Sequence, residues 1–334
     1  MDKYLKGIFL ASCLFTSSLY AQTVKILQKD SVKTSLRGLY VYDNKVLWTS
    51  GSNGMIGKSQ DAGETWEWIR IPGYYKIDFR DIEAFSKSSA IVMGVDEPAY
   101  ILKTTDGGIT WKNVFKDTTQ GMFLDAMEFW NEESGIVIGD PIDNKFFIAR
   151  TFDGGNKWRG LPIENYPVAD NGEACFAASG TNIRKLNKAE ACFVTGGLKS
   201  RLFIRDKKID IPFTQGKATC GANSVAVKDE NTLIVVGGDY LNVDSASNNC
   251  FITKDGGNTW SVPQVPPHGY RSCVQYLGGK EWVCCGTNGV DYTKDDGKTW
   301  KWISQDDFNV CNKAKYGKAV FFAGDNGAIG KLIF

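Results

Sequence analysis

Residues 104–111 read TTDGGITW, and this stretch decides how the rest of the chain is interpreted. An Asp side chain can accept N–H bonds from the residues just after it and so fix a tight turn. The two Gly residues allow positive φ angles that other residues resist, and the Trp offers a large apolar face to a following strand. Close relatives of the stretch lie at 59–66, 151–158, 253–260 and 293–300, so the chain contains a repeated unit.

The spacing of these turns sets the size of the unit. Successive aspartates are separated by 45, 47, 102 and 40 residues, and they are Asp61, Asp106, Asp153, Asp255 and Asp295. Because the interval of 102 residues is about twice the others, it predicts a degenerate copy at 202–206 that has lost the Gly pair and the Trp.

Apolar segments that end in Gly give the same period. Seven occur, at 46–51, 90–94, 135–139, 192–197, 233–238, 282–286 and 320–324. Each unit is therefore predicted to hold four short strands, which is typical of a propeller blade. The predicted fold is an all-β, seven-bladed β-propeller of four-stranded antiparallel blades. The N-terminal strand at 24–27 is expected to pair with the last blade and close the ring.

The repeated turn resembles the Asp box, or BNR repeat, of sialidases and other propeller proteins. Seven blades in one domain resemble the photosystem II stability/assembly factor family and its non-photosynthetic bacterial relatives, over essentially the whole mature chain. That resemblance implies a binding scaffold for membrane-protein assembly. We predict a structural role for the five aspartates and for the tryptophans behind them, which are Trp66, Trp111, Trp158, Trp260 and Trp300. A calcium site is the alternative, but the turn lacks the several acidic ligands of calcium loops.

The first 21 residues have the features of an export signal. Lys3 and Lys6 precede an apolar run that is too short to span a bilayer, and Ala21 offers a small residue for cleavage. We therefore predict a signal peptide at 1–21 and a single propeller domain at 22–334, in a periplasmic or secreted, monomeric protein. A lipid-modified Cys13 is the alternative. The net charge of +1 argues against nucleic acid as a partner, and no segment is long enough for a transmembrane helix.

Eight cysteines follow the predicted signal, and all lie in the second half of the chain. An even number in an exported protein favours disulfides, whereas the alternative is a set of small buried residues. A hairpin would place Cys273 opposite Cys284 or Cys285, and Cys220 and Cys250 are expected at one end of blade five. The adjacent pair at 284–285 lacks a second Cys pair or clustered His, so we predict no metal and no cofactor.

The first strand of each propeller blade lines the central channel. Arginines recur where four first strands begin, at Arg37, Arg80, Arg184 and Arg271, and Asp125 takes this place in blade three. The loops after the second strands add Asp96, Asp140, Asp239 and Asp325 on the same face. We predict a cationic ring that binds carboxylate, phosphate or an acidic protein segment. Alternatively, these charges pair with one another and hold the blades together.

Two longer non-repeated segments, 161–181 and 239–249, are expected to decorate this face as recognition loops or as variable surface loops. The predicted function is an exported, non-catalytic scaffold for an envelope protein, a membrane-protein assembly partner, or an anionic or carbohydrate ligand. The alternative is a carbohydrate-active hydrolase of the sialidase type. Residues 69–72 imitate a sialidase arginine motif, but they follow an Asp turn, so Arg70 is predicted to be a solvated edge residue. The single His, His268, offers little for His-based catalysis.

Overall fold

Seven antiparallel sheets follow one another around a closed ring in the computed structural model, which describes residues 22–334. Neighbouring sheets contact one another through their first strands, and the last sheet returns to the first. The predicted seven-bladed propeller is therefore confirmed. The predicted signal peptide and Cys13 lie outside the described residues. Within residues 22–334, no helix is long and apolar enough to cross a membrane.

The strands are short, as expected for propeller blades. In chain order the first thirteen are β1 (Thr23–Gln28), β2 (Leu36–Val41), β3 (Leu47–Gly51), β4 (Met55–Ser59), β5 (Glu67–Arg70), β6 (Phe79–Ala84), β7 (Ala90–Gly94), β8 (Ala99–Thr104), β9 (Lys112–Asp117), β10 (Leu124–Phe129), β11 (Gly135–Ile142), β12 (Lys145–Thr151) and β13 (Arg159–Gly160). Blades 1, 2 and 3 are β2–β5, β6–β9 and β10–β13.

The second half of the ring holds the remaining strands, which are β14 (Glu173–Ala174), β15 (Ile183–Lys185), β16 (Ala191–Val194), β17 (Gly196–Gly197), β18 (Arg201–Ile204), β19 (Lys207–Asp210), β20 (Cys220–Val227), β21 (Leu233–Asp239), β22 (Cys250–Thr253), β23 (Cys273–Gly278), β24 (Glu281–Gly286), β25 (Gly289–Thr293), β26 (Lys301–Ser304), β27 (Val310–Lys313), β28 (Val320–Ala323) and β29 (Ile329–Ile333). Blade 4 is β15, β16, β18 and β19, blade 6 is β23–β26, and blade 7 is β27–β29 with β1. Two 3-10 turns lie at Ile163–Asn165 and Asp325–Gly327.

The N-terminal strand closes the ring as predicted. Strand β1 pairs antiparallel with β29, from Thr23 opposite Ile333 to Gln28 opposite Ile329. The last blade thereby gains its fourth strand, and β29 is not left as an unpaired edge.

Each predicted apolar segment forms the second strand of a blade, namely β3, β7, β11, β16, β21, β24 and β28. Strands β3 and β7 are buried along their whole length, because each is covered by the neighbouring sheets on both faces. Trp48 of β3 is fully buried and packs edge-on against Trp111, with ring centroids 6.5 Å apart. The hydrophobic core thus lies between the blades and leaves the ring axis to other side chains.

Blades 4 and 5 depart from the regular unit. The predicted degenerate copy forms a tight hairpin between β18 and β19, in which Arg205 at φ 51° replaces the Asp turn. In blade 5 the outer strand is reduced to a bridge between Ile252 and Ser261. That sheet instead extends on its inner side through β17 to β14, which is an addition to the expected four strands.

The eight cysteines of the described residues are all buried, and none forms a disulfide. Cys273 lies opposite Cys285 in the β23–β24 register, as one of the two predicted pairings required, but both side chains are free thiols. The structure thus has free thiols at all eight positions, and the predicted disulfides stay a prediction. The alternative interpretation, small buried side chains within a closely packed sheet core, describes these positions.

Candidate binding site at the channel mouth

A cavity of about 500 Å³ opens where the first strands begin, at one mouth of the central channel. Every blade except the fourth contributes to its wall, and the segment that leads into blade 4 forms the remainder. Its charged lining side chains are Arg37, Arg80, Asp140 and Asp325, and its aromatic ones are Phe123, Phe176, Tyr240 and Tyr270. A concave, largely apolar site with a few polar groups is the usual form of a ligand pocket.

Residues 174–181 cross the channel and form the floor of this cavity. Ser179 donates to the Ser272 carbonyl of blade 6 at 2.8 Å, and Thr181 shares a 2.6 Å hydrogen bond with Ser224 of blade 5. On the other side, Gly180 packs directly on the carboxyl group of Asp81 in blade 2. Ser179 and Thr181 are almost completely buried. The end of the predicted surface loop 161–181 is thus a plug, because its polar groups find partners on the channel wall.

Arg37 and Arg80 lie side by side above this plug. Each reaches a carbonyl of the segment, Arg37 that of Ala178 at 3.3 Å and Arg80 that of Ala177 at 3.4 Å. Arg80 also pairs with Asp78, with 2.8 Å between the guanidinium Nε and Oδ2. Within residues 22–334, Arg37 has no carboxylate within ion-pair distance. It is therefore the cation of the cavity that remains available to a ligand.

Two carboxyl groups at this mouth resist ionisation. Burial raises the pKa of Asp140 to about 6, although its Oδ1 accepts the Cys175 N–H at 2.9 Å. Asp125 is fully buried in β10, and neither of its carboxylate oxygens has a hydrogen-bond partner among the described residues. Burial, followed by the charge of Asp140, holds the pKa of Asp125 well above its usual range. A neutral Asp125 leaves the positive charge of the nearby Arg80 less compensated.

The other two predicted ring arginines lie elsewhere, so the four do not form one ring. Arg271 is fully buried, and its guanidinium pairs with Asp291 in the same blade. Arg184 lines a separate pocket on the other side of the plug and pairs with Glu128 at 3.3 Å. The prediction fails for these two because position in the repeat fixes the backbone, whereas local partners decide where a long side chain points.

The predicted aspartates of the loops after the second strands also differ in their surroundings. Asp325 lines the cavity and accepts hydrogen bonds from Ser35 at 2.5 Å and from the Asn309 amide at 3.0 Å. Asp96 is exposed on the loop after β7. Asp239 caps its own loop by accepting the Leu241 N–H at 3.0 Å, and its neighbour Tyr240 reaches the cavity instead. The insertion 239–249 therefore contributes an aromatic side chain to the mouth.

The five repeated turns lie where the third strands of blades 1, 2, 3, 5 and 6 end, on the face opposite the cavity. In the turn at 104–111, the Asp106 carboxylate accepts the Thr110 N–H at 2.9 Å and the Thr104 hydroxyl at 2.9 Å. The Thr104 hydroxyl itself accepts the Gly108 N–H at 2.9 Å. The equivalent hydroxyls are all buried and belong to Ser59, Thr151, Thr253 and Thr293. Sequence reasoning credited the turn to the Asp and missed this buried hydroxyl, although the position is always Ser or Thr.

The tryptophans of the turns occupy the gaps between blades. Trp158 and Trp300 are buried, whereas Trp66, Trp111 and Trp260 are partly buried. The indole N–H groups of Trp66 and Trp111 donate to the Gly63 and Gly108 carbonyls of their own turns, at 3.0 Å and 3.1 Å. Trp66 and Trp111 thus fasten their turns to the start of the outer strand, whereas the indole N–H groups of Trp158, Trp260 and Trp300 have no hydrogen-bond partner among the described residues. Arg70 of the sialidase-like motif is exposed at the end of β5 and does not line the mouth cavity.

No protein-family model matches the chain. Among curated proteins, the chain is similar to vacuolar protein sorting/targeting protein 10 of Pyricularia oryzae, with 27% identity over 149 residues. This region is 41% of the chain and 10% of that relative, so the match spans about a tenth of the relative's length.

Solved propeller structures resemble the chain over nearly its whole length. YCF48 bound to D1 peptide has a TM-score of 0.67 and 16% identity, and the match covers 95% of this chain and 96% of that one. YCF48 from Cyanidioschyzon merolae has a TM-score of 0.67 and 15% identity, covering 92% and 98%. Virginiamycin B lyase from Staphylococcus aureus has a TM-score of 0.66 and 14% identity, covering 94% and 100%. These identities establish the fold alone, and the fold carries both a peptide binder and a lyase.

Proposed function

We propose that the protein is a binding scaffold whose mouth cavity holds a carboxylate-bearing segment of a protein partner. The observation that carries the proposal is Arg37, a guanidinium with no carboxylate partner among residues 22–334, in a cavity with aromatic walls. A carboxylate ligand would complete the hydrogen bonding of this group.

The other charged groups of the cavity already have partners. Asp325 is engaged by Ser35 and Asn309, and Asp140 by the Cys175 amide. Arg80 holds Asp78. The cavity therefore offers one free cation beside four aromatic side chains. This combination suits a peptide segment with an apolar side chain beside its carboxylate better than it suits a small inorganic anion.

The site is formed before any ligand arrives. The plug is tied to blades 5 and 6 by hydrogen bonds, and Tyr270 is held by a 2.8 Å hydrogen bond from its hydroxyl to Asn223. Tyr240 packs edge-on against Phe176, with centroids 6.0 Å apart. A preformed site spares the ligand the entropic cost of ordering loops, which favours binding of a flexible chain.

The rim of the mouth extends the apolar surface outward. Tyr240 is 42% exposed and Leu241 is 76% exposed, and both belong to the 239–249 insertion. Exposed apolar side chains beside a pocket commonly mark a surface that contacts protein. The solved complex of YCF48 with D1 peptide supports the same class of ligand for a propeller of this shape.

The cellular setting of the proposal comes from the sequence. The basic and apolar pattern of residues 1–21 supports export, which would place the scaffold in the periplasm or outside the cell. Membrane-protein assembly in the envelope, which the resemblance to assembly factors implies, is the corresponding process. Partners would then be envelope proteins with an exposed acidic segment or a free C-terminus.

Fluorescence anisotropy with a library of labelled peptides tests the proposal. Each peptide is made in two forms, with a free C-terminal carboxylate and with an amide. The wild-type protein is expected to retain carboxylate peptides selectively, and Arg37→Ala is expected to weaken their binding about tenfold, since hydrogen bonds between charged groups are the strong ones. Arg70→Ala is the matched control, because Arg70 is exposed on an outer strand.

Equal binding of free and amidated peptides, or unchanged binding by a folded Arg37→Ala variant, would refute the proposal. The hydrolase alternative has its own measurement. The wild-type protein is assayed for hydrolysis of fluorogenic sialosides and glycosides. Hydrolysis that substitutions at the mouth abolish would show that the protein is an enzyme and not only a scaffold.

A further inference from the structure

Three cysteines from three strands meet in the core between blades 6 and 7. Cys273 lies on β23, Cys285 on β24 and Cys311 on β27, and their sulfur atoms all lie within 4.8 Å of one another. Each of the three is completely buried. Cys273 and Cys285 are 12 residues apart in sequence, and Cys285 and Cys311 are 26 apart, so no short sequence motif predicts the cluster.

The backbone of two blades brings these thiols together. Cys273 and Cys285 are opposite partners in the β23–β24 register, so their side chains lie on the same face of blade 6. Cys311 comes from the first strand of the next blade. Its N–H donates to the Cys273 sulfur at 3.3 Å, and its own sulfur lies 3.6 Å from that of Cys273. The cluster is therefore held by strand pairing and blade packing, without a flexible loop.

The spacing of the sulfur atoms fits a single metal ion. A metal–sulfur bond of about 2.3 Å places three sulfur ligands about 4 Å from one another around the ion. The observed separations are close to this value, since the Cys273 and Cys311 sulfurs lie 3.6 Å apart and all three sulfurs lie within 4.8 Å of one another. An N–H donor to a ligand sulfur, as Cys311 provides for Cys273, is the kind of outer contact that stabilises a metal-bound thiolate.

The set of ligands selects the kind of metal. Soft thiolates favour Cu(I) and Zn(II), and structural Zn(II) takes four ligands. Among residues 22–334 the cluster contains only the three thiols, without a His or carboxylate ligand. The surrounding core is apolar and includes Val283, Val290 and Phe308. We propose that Cys273, Cys285 and Cys311 form a three-coordinate site for Cu(I).

Charge compensation for the site comes from the channel. The positive charge of Arg184 lies near enough to interact with Cys273, and the side chain of Arg184 is only 16% exposed. Replacing thiol protons with one Cu(I) leaves net negative charge on the sulfurs, which the guanidinium offsets in part.

Anaerobic titration of the reduced full chain tests the site. The protein is refolded with Cu(I) held by a chromophoric Cu(I) chelator, because all three thiols are buried in the folded state. The expected result is one Cu(I) per chain with thiolate-to-Cu(I) charge-transfer absorption, and X-ray absorption showing three sulfur neighbours. Cys285→Ala is expected to abolish this binding.

Cys284→Ala is the matched control, because Cys284 is the adjacent residue on the same strand and packs in a different hydrophobic cluster. It is expected to bind Cu(I) as the wild type does. Circular dichroism shows whether Cys284→Ala and Cys285→Ala fold. If Cys285→Ala does not fold, the Cu(I) titration is repeated with Cys273→Ser and Cys311→Ser.

Four outcomes would overturn the assignment. The first is the absence of Cu(I) binding by the folded wild type. The second is stoichiometric Zn(II) binding that Cu(I) does not displace. The third is equal loss of Cu(I) binding in the Cys284→Ala control. Peptide mapping that finds Cys273 disulfide-bonded to Cys285 or Cys311 in the protein isolated from its native compartment would overturn it as well.

Discussion

The Asp turns and the mouth cavity use carboxyl groups in opposite physical settings. Asp106 is exposed, and hydrogen bonds from the Thr110 side chain and backbone lower its pKa to about 2. Asp140 is partly buried, and burial raises its pKa to about 6. An exposed carboxylate that accepts several hydrogen bonds is part of a turn, whereas a partly buried carboxyl group in a cavity that also holds arginines marks a place where charge can change.

The same contrast separates repeated from unrepeated sequence. The turns recur because five of the seven blades leave their third strand through the same kind of connection. The plug at 174–181 occurs once, since one segment is enough to close a channel that all seven blades share. Repetition therefore marks the scaffold, and the candidate site lies where the repeat is interrupted.

The largest expected effect comes from the plug. Gly180 has φ +64°, and an added Cβ would overlap the Asp81 carboxyl group. We expect Gly180→Ala to lower the free energy of unfolding by about 3 kcal/mol, from backbone strain together with the clash. Chemical denaturation measures this value.

Gly216→Ala is the control for the plug, because Gly216 has φ +93° and nothing lies within 4 Å of an added Cβ. It should lose only about 1 kcal/mol, the cost of the strained backbone. Equal losses for the two variants would mean that 174–181 is not fixed against the channel wall.

An intermediate effect is expected from the hydroxyl of a repeated turn. Thr104→Val keeps the shape of the side chain but leaves the buried Gly108 N–H without its acceptor. The free energy of unfolding is expected to fall by about 2 kcal/mol, the usual cost of an unsatisfied buried donor. Thermal denaturation compares this variant with Thr118→Val, an exposed position that should change by less than about 0.5 kcal/mol. If both variants match the wild type, the turn does not depend on its hydroxyl.

The smallest effect is a pH dependence of ligand binding. Asp140 loses its negative charge as the pH falls through about 6, and the mouth then becomes more positive. A carboxylate peptide stays ionised over this range, so its affinity should rise a few-fold between about pH 8 and about pH 5, by about 0.5 kcal/mol. Anisotropy titrations should show a larger rise in the wild type than in Asp140→Asn, where the remaining rise comes from Asp307, whose pKa burial raises to about 6 and whose charge acts on Arg37. Affinity that falls as the solution is acidified would contradict the sign.

Much of the ring could be predicted because its signals are local. The spacing of the turns and the seven apolar segments predicted every second strand, and the N-terminal strand found its place in blade 7. A period in sequence becomes a period in structure when each unit must bury the same apolar face against its neighbours. The reduced outer strand of blade 5 escaped prediction, because the turn at 253–260 that leads into it is intact in the sequence.

The candidate site was only half visible in the sequence. Arg37 and Arg80 were found from their place in the period, whereas Arg184 and Arg271 share that place and lie elsewhere. The difference is made by Glu128 and Asp291, whose proximity depends on the packed blades. Whether an arginine keeps a free positive charge at the mouth thus depends on whether a carboxylate lies beside it in the packed structure.

The sequence by itself determined the fold, the number of blades and the role of TTDGGITW, since a turn is made by residues within eight positions of one another. Only the tertiary structure decided that 174–181 closes the channel, that Asp125 is buried without a partner, and that three cysteines share one place in the core. These arrangements join residues from different blades. Their energies come from burial and from contacts between blades, which no local pattern records.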